Sequence, residues 1–417
     1  MSGGESGIAE GWSAEARLVV ACLRRECGGG DSAAEMAIAD AAALNWTLVA
    51  SHAGHHGVLP LVYRRLRRTA GIAPERLERM RAEYYGNALG NLQMTRELAR
   101  MAAALAAAGI ETIAFKGPLL ALQAWGDVSL RQFNDIDLLV RRKDAVRAAA
   151  TLVEGGYLPR AMDLAQPRVA LERASGDEFI RPGADWSIDL HWDLLPPYFD
   201  YGPEENALWR HAELRELEGT PIRTLGRADL ALFLAVHGAK HGWSGLGSIA
   251  DLAMILRAAD AAERDALAEA ARARGALRIA AVGAALAADL LGAPAGPALT
   301  RAAANDPAVA RLVRGIKRRL FVNVGGRPPL YLEWAVPLGV IESARGRLRH
   351  LVLRALKPNL DDVALISLPR GLRALYYAIR PVRALIVQSR RLLPNAPYPA
   401  KKMRAWPPPE RRARAPQ

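Results

Sequence analysis

The sequence predicts an α+β protein, mostly helical, in which a small mixed sheet is flanked by N-terminal and C-terminal helical regions. Three observations carry this reading. Apolar residues recur at helical spacing up to about residue 108 and again from about residue 227. Between those limits the period falls toward two, the period of strands. Alanine is abundant while aromatic residues make up only 6% of the chain, a mix that favours helices.

The elements follow in order. Helices are expected over residues 14–27, 42–50 and 59–69, and then along the amphipathic run 74–108. In that run Met94, Leu98, Met101 and Leu105 keep one face apolar, and Gly109 suits its end. Residues 111–115 read as a short strand, and Pro118 fits the first turn of a helix through Trp125. Residues 135–140 form a second strand, and a helix over 144–154 stops at Gly155-Gly156. Residues 178–181 and 186–192 flank the turn sequence PGAD and read as a hairpin. From Arg227 onward helices return, at 228–241, 249–259, 261–274 and 276–291, followed by basic helices to about residue 393. The divisions are therefore 1–108, an N-terminal helical region; 109–226, an α/β core; 227–393, a C-terminal helical region; and 394–417, a Pro/Arg-rich basic tail whose composition predicts disorder.

Length and composition exclude several classes. At 417 residues the chain can build two or three sizeable cores. Its first residues lack the basic start and apolar stretch of a secretory leader. The longest apolar region, 279–299, is broken by Asp289, Gly292, Pro294 and Gly296, so no membrane span is expected, and the reading is a soluble, cytoplasmic protein. Cys22 and Cys27 lack the spacing and partners of a zinc site and are expected as free thiols. The net charge of +13 is uneven: residues 311–417 hold 23 Lys+Arg against 5 Asp+Glu, a net of +18. That segment suits nucleic acid, an acidic partner or an anionic membrane surface, although arginine on solvated faces gives the same composition.

The chemistry concentrates around residues 114–140. In a strand Asp135 and Asp137 point to one side while Ile136 and Leu138 point to the other. Two carboxylates so placed repel unless a cation lies between them, and magnesium takes carboxylate oxygens while keeping water and substrate phosphates as its other ligands. The strand WSIDLHW adds Asp189, which shares a face with Ser187 and His191 opposite an apolar face. Three carboxylates could hold two magnesium ions about 4 Å apart, as in phosphoryl or nucleotidyl transfer. Lys116-Gly117, between a strand and a helix start, bring a cation and close backbone approach to one anion-binding place. Arg131 is expected to neutralise a triphosphate.

With FKGPLLALQAWGDVSLRQFNDIDLLV, the Gly155-Gly156-Tyr157 turn, IDLHWDL, HGAKHGWSGLGSIADL and LPRGLRALYYAIRPVRAL in hand, the sequence resembles a largely uncharacterised bacterial nucleotidyltransferase family of the DNA polymerase beta-like superfamily. The resemblance runs from about residue 40 to 385. It implies a five-stranded type of nucleotidyltransferase core, with Asp135 and Asp137 as metal ligands and Asp189 as the third acid, which helps to activate an acceptor hydroxyl. It implies magnesium and an NTP, ATP foremost, as cosubstrates, with Lys116, Gly117 and Arg131 binding the nucleotide. Where the wider superfamily carries Gly-Ser after its first strand this chain carries Lys116-Gly117, which removes a serine hydroxyl from the phosphate site. His237 and His241 have a zinc-compatible spacing without the acidic partner of a metalloprotease; Lys240, His241 and Trp243 are instead expected to line the acceptor side. The cluster His52, His55 and His56 reads as helical surface. The expected function is transfer of an NMP from an NTP to an acceptor hydroxyl, on a small molecule or peptide, with release of pyrophosphate. The alternatives are a phosphotransferase using the same cleft, and a non-catalytic protein that engages nucleic acid or a peptide through its basic C-terminal region.

Overall fold

In this computed structural model the described residues are 11–30, 44–164, 167–322, 330–359 and, with short breaks, 362–391. The N-terminal helices are Ala14–Glu26 (α1), Trp46–His55 (α2), Leu59–Leu66 (α3) and Glu78–Ala107 (α4). Their starts are set by side-chain caps: Ser13 accepts from the Ala16 N–H at 3.2 Å and Asn45 from the Leu48 N–H at 3.1 Å. The expected helix over 42–50 lies further along the chain, because Asn45 is the cap that fixes its start, and residues 42 and 43 fall outside the described ones.

The core then alternates. Thr112–Ala114 (β1) leads into Gly117–Trp125 (α5), Asp135–Val140 (β2), Ala145–Glu154 (α6) and Leu158–Pro159 (β3). Arg168–Arg173 (α7) precedes Gly176–Ile180 (β4) and Ser187–His191 (β5), which pair antiparallel as the expected hairpin. Glu205–His211 (α8), Glu213–Leu217 (β6) and Thr220–Thr224 (β7) complete it. The strands form one mixed sheet in the order β3-β4-β5-β2-β1-β7-β6. This corrects the five-stranded expectation. The β6–β7 hairpin, turning at Glu218-Gly219 where both φ angles are positive, was not read in the sequence, and β7 adds alongside β1.

Two layers of core sandwich the sheet. On one side Ile136, Leu138, Val140, Ile188 and Leu190 pack with Met94, Leu98, Met101 and Leu105 of α4 and with α6. The apolar stripe of α4 is thus explained by the sheet that it covers. On the other side Ile113, Phe115 and Leu139 join a large helical core. That core draws on α1 to α3 and on Arg227–Lys240 (α9), Leu246–Ala258 (α10), Ala261–Ala273 (α11) and Leu277–Leu291 (α12). Helices from both ends of the sequence therefore share one interior. Pro297–Asn305 (α13), Pro307–Lys317 (α14), Leu330–Val340 (α15), Ala344–Leu356 (α16) and Tyr376–Arg391 (α17) follow. The tail 394–417, expected to be disordered, lies outside the described residues. Cys22 and Cys27 are buried and not joined in a disulfide. No helix among the described residues is long and apolar enough to cross a membrane.

The histidine cluster is corrected in part: His55 is exposed as expected, but His52 and His56 are 5% and 2% exposed, in the core rather than on the surface. Their rings meet Phe321 edge-on, at 5.2 Å and 4.7 Å, a partner about 265 residues away in sequence that no local pattern could supply. Burial, together with the charges of His55 and His52, pushes the His56 imidazole down from 6.5 to about 3. The unfolded chain takes up that proton near pH 6.5, so this contribution to stability is complete above that pH and is lost as pH falls toward 3. His56→Phe is expected to remove this part of the acid limb, worth on the order of a few kcal/mol across the window. Unfolding free energies of both proteins at neutral pH and at about pH 4 check it, the variant losing less.

Candidate active site

The site is built by register. β2 and β5 run parallel, with Asp137 directly beside Asp189 and Asp135 beside Ser187. Because Ile136, Leu138, Ile188 and Leu190 are committed to the core with α4, every polar alternate residue on these strands faces the helical side. Asp137, Asp189 and His191 bring one donor atom each to within 4.8 Å of one another. Asp135 lies on the same face, one residue pair toward the start of the strand. His191 is the residue that sequence reasoning placed on this face without giving it a role; the alternation that exposed Asp189 carried the same signal for it.

Asp137 is the centre. It is 2% exposed, yet neither carboxylate oxygen has a partner in hydrogen-bonding geometry. Its charge is met instead by an ion pair with Lys116 Nζ at 2.8 Å, and His191 Nε2 stands 3.3 Å away, both on Oδ1. Burial alone would raise this carboxyl, but the charge of Lys116 and the contact with His191 outweigh it and hold it at about 2. Asp189 goes the other way. Burial, followed by the negative charge of Asp137, raises it to about 6. Asp135 is raised for the same two reasons. Asp137 and Asp189 are thus pulled apart in acidity by position, the separation that distinguishes a permanent charge from a proton acceptor.

Lys116 ends the loop after β1, and α5 starts at Gly117. Gly117 has φ +51, and a Cβ there would stand 3.0 Å from the Asp135 carbonyl, so only glycine lets the helix begin this close to β2. The lysine expected at the phosphate therefore reaches the acid itself. Burial opposes its charge, and Asp137 and Asp135 more than restore it.

Arg131 is clamped between α10 and α4. Its Nε donates to Asp251 Oδ2 at 2.9 Å, and Asp251 Oδ1 accepts from Trp125 Nε1 at 3.1 Å. Its carbonyl accepts from Asn91 at 2.8 Å and from Asn87 at 3.2 Å, both on α4. The guanidinium Nη1 is buried without a hydrogen-bond partner. Asp251, Asn87 and Asn91 are residues that sequence reasoning left out of the site, since their relation to Arg131 exists only after α4 and α10 have packed around it.

The α9 segment divides. Burial, then the nearby charge of Lys116, lowers Lys240 to about 8, and the charges of Asp137 and Asp189 oppose that shift. His241 is exposed, its ring 4.7 Å from that of His237. Trp243 departs from the expectation. It is 1% exposed, and a Cβ on Gly238 would stand 2.4 Å from its Nε1, so the indole fills the core against that glycine and does not face an acceptor.

The mixed sheet thus gathers acids on adjacent strands, with Lys116 paired to Asp137 and Arg131 paired to Asp251. Residues 42–292 match the family described as uncharacterised nucleotidyltransferase, and the chain belongs to that family. Its class is accordingly that of the nucleotidyltransferases, transferases of phosphorus-containing groups. A search of curated proteins returned no match to the chain. Nucleotidyltransferases generally use divalent metals, and Asp137, Asp189 and His191 could bind one. The donors fit such an ion: a buried carboxylate whose oxygens lack hydrogen bonds, a second carboxylate and an imidazole are all ligands for a divalent cation.

Proposed function

We propose that the enzyme transfers the NMP portion of an NTP, ATP foremost, to a hydroxyl of a small molecule or peptide, with magnesium as cofactor. The observation that carries this reading is the parallel register of Asp137 with Asp189, beside His191, above an apolar sheet face. Asp137, Asp189 and His191 would hold the ion, with Asp135 as a further carboxylate for a second one. When bound, magnesium supplies positive charge to the phosphates and a template for the displacement.

The chain's own groups divide the remaining work. Lys116, Lys240 and the unpartnered Nη1 of Arg131 are the cations available to a triphosphate. Gly117 gives the backbone room for close approach. Asp189, at about 6, is ionised at neutral pH and close enough to it to accept a proton, which suits a general base. The acceptor oxygen bonds to the α-phosphorus, its proton passes to Asp189, and the bond from that phosphorus to the bridging oxygen breaks, releasing pyrophosphate. The packing of Asp251 against Arg131 links the nucleotide end of the cleft to α10.

Labelled nucleotides test the direction of transfer. With α-labelled ATP, magnesium and an extract of the source cells, label is expected in an acceptor, and with γ-labelled ATP in pyrophosphate. Label from the γ position in the acceptor would replace nucleotidyl transfer with phosphoryl transfer in the same cleft.

A further inference from the structure

The last two helices are built inside out. In α17 the inward residues are Tyr376, Arg380 and Arg383. Tyr376 is 1% exposed, its hydroxyl donating to the Ile366 carbonyl at 2.7 Å. Arg380 donates to the Arg354 carbonyl at 3.2 Å, which ties α17 to α16. Arg383 holds Asp362, which is fully buried, and donates to Asn359 Oδ1 at 2.9 Å. The opposite side of the same helix shows Val382, Leu385 and Ile386 to solvent, Leu385 at 70% exposure.

α16 repeats the arrangement. His350 faces inward, 1% exposed, its Nδ1 2.9 Å from the Tyr198 carbonyl. Leu348, Leu351, Val352 and Leu356 fall at spacings of three, one and four, a single helical stripe, and all four are exposed. Arg345 and Arg349, both exposed, border that stripe. Twelve of the eighteen large hydrophobic side chains exposed among the described residues lie between 348 and 386, so exposed apolar side chains are concentrated in this stretch of the chain.

Charge selects the occupant. Residues 344–391 carry 11 Lys+Arg against 2 Asp+Glu; Arg380 and Arg383 are engaged inward, while Arg345 and Arg349 are exposed beside the stripe. Residues 392–417 carry 6 Lys+Arg against 1 Glu, so covering the patch with the chain's own tail would bring like charges together, and so would a second copy. Nucleic acid would match the arginines and leave the leucine stripe in water. A surface that is anionic outside and apolar just beneath matches both features, with arginine at the headgroups and leucine below them. We propose that the outer face of α16 and α17 docks in the plane of an anionic membrane, without crossing it. On the inward side of α16, His350 meets the Tyr198 carbonyl in the chain that leaves β5, so docking of the outer face would hold the sheet bearing Asp189 near the lipid surface. The proposal stands independently of which phosphorus group the enzyme transfers.

Vesicle flotation with the full chain tests it, using phosphatidylcholine alone and phosphatidylcholine mixed with phosphatidylglycerol. The protein is expected to float with the mixed vesicles, less as salt rises, and to stay behind with the neutral ones. Leu348→Ser with Leu385→Ser is expected to weaken binding about tenfold or more, with the melting temperature unchanged because both side chains are exposed. Arg345→Ser with Arg349→Ser is expected to weaken it severalfold and to flatten the salt dependence. Absence of flotation with anionic vesicles overturns the proposal, as does equal flotation with neutral ones. Binding that survives the leucine substitutions also overturns it, leaving only diffuse attraction of charge. Capture of RNA or of an acidic polypeptide without vesicle binding would assign the face to that partner instead.

Discussion

Asp137→Asn is expected to lower NTP turnover by about a thousandfold or more, the equivalent of about 4 kcal/mol of transition-state stabilisation. Asparagine keeps the size of the side chain and its place beside Asp189. It loses the negative charge that meets Lys116 and His191 and that would hold a divalent ion. The same change strips Lys116 of its closest counter-charge, and removing one member of a buried pair costs about 3–5 kcal/mol when nothing else compensates. A loss of activity could therefore arise from unfolding. Lys116→Gln combined with Asp137→Asn separates the two: the double variant is expected to recover the urea midpoint while turnover stays absent. Steady-state turnover and urea unfolding of the three proteins are the measurements. Turnover near the wild-type rate in the single variant would falsify the assignment of Asp137 as a metal-holding acid.

The second large effect concerns stability away from the acids. Asp251→Asn is expected to destabilise the fold by about 3 kcal/mol, because Arg131 would stay buried with its nearest counter-charge gone. Trp125 would keep an oxygen to donate to, so the loss isolates the charge. Adding Arg131→Gln removes the stranded cation and is expected to recover most of the stability, with a coupling between the two sites that exceeds about 1 kcal/mol. Additive losses in urea unfolding would mean that the two residues do not depend on each other. In an NTP assay both single variants are expected to raise KM more than they lower kcat, since the clamp orients a binding group rather than a reacting one.

Much of this was legible in the sequence where information is local. Alternation located β2 at its observed bounds and β5 to within one residue at each end, and it set the face of their acids, because the apolar partners Ile136, Leu138, Ile188 and Leu190 leave a strand no other orientation. The start of α5 at Gly117 was legible for a similar reason: proline and glycine restrict the backbone directly. What was not legible depends on which element packs against which. Nothing near His52 and His56 forecasts Phe321. Nothing in the spacing of Arg131 and Asp251 joins them across 120 residues. Trp243 looked like a cleft residue because it follows Lys240 and His241, yet the turn at its own positive φ sends the indole back under Gly238. The strand β7 was missed because it earns its place by pairing with β1, a contact that its mixed and partly polar sequence does not announce.

The side-by-side pairing of β2 with β5 has a consequence for how such an enzyme can change. The separation of Asp137 from Asp189 is fixed laterally, by a strand spacing of about 4.8 Å, and not by the stretch of chain between them. That stretch forms α6, β3, α7 and β4 before it returns through the β4–β5 turn, whose residues 181–183 are exposed. Length can be added there without shifting the acids, so this turn is where new recognition loops could accumulate, or be grafted, while the reacting groups stay where they are.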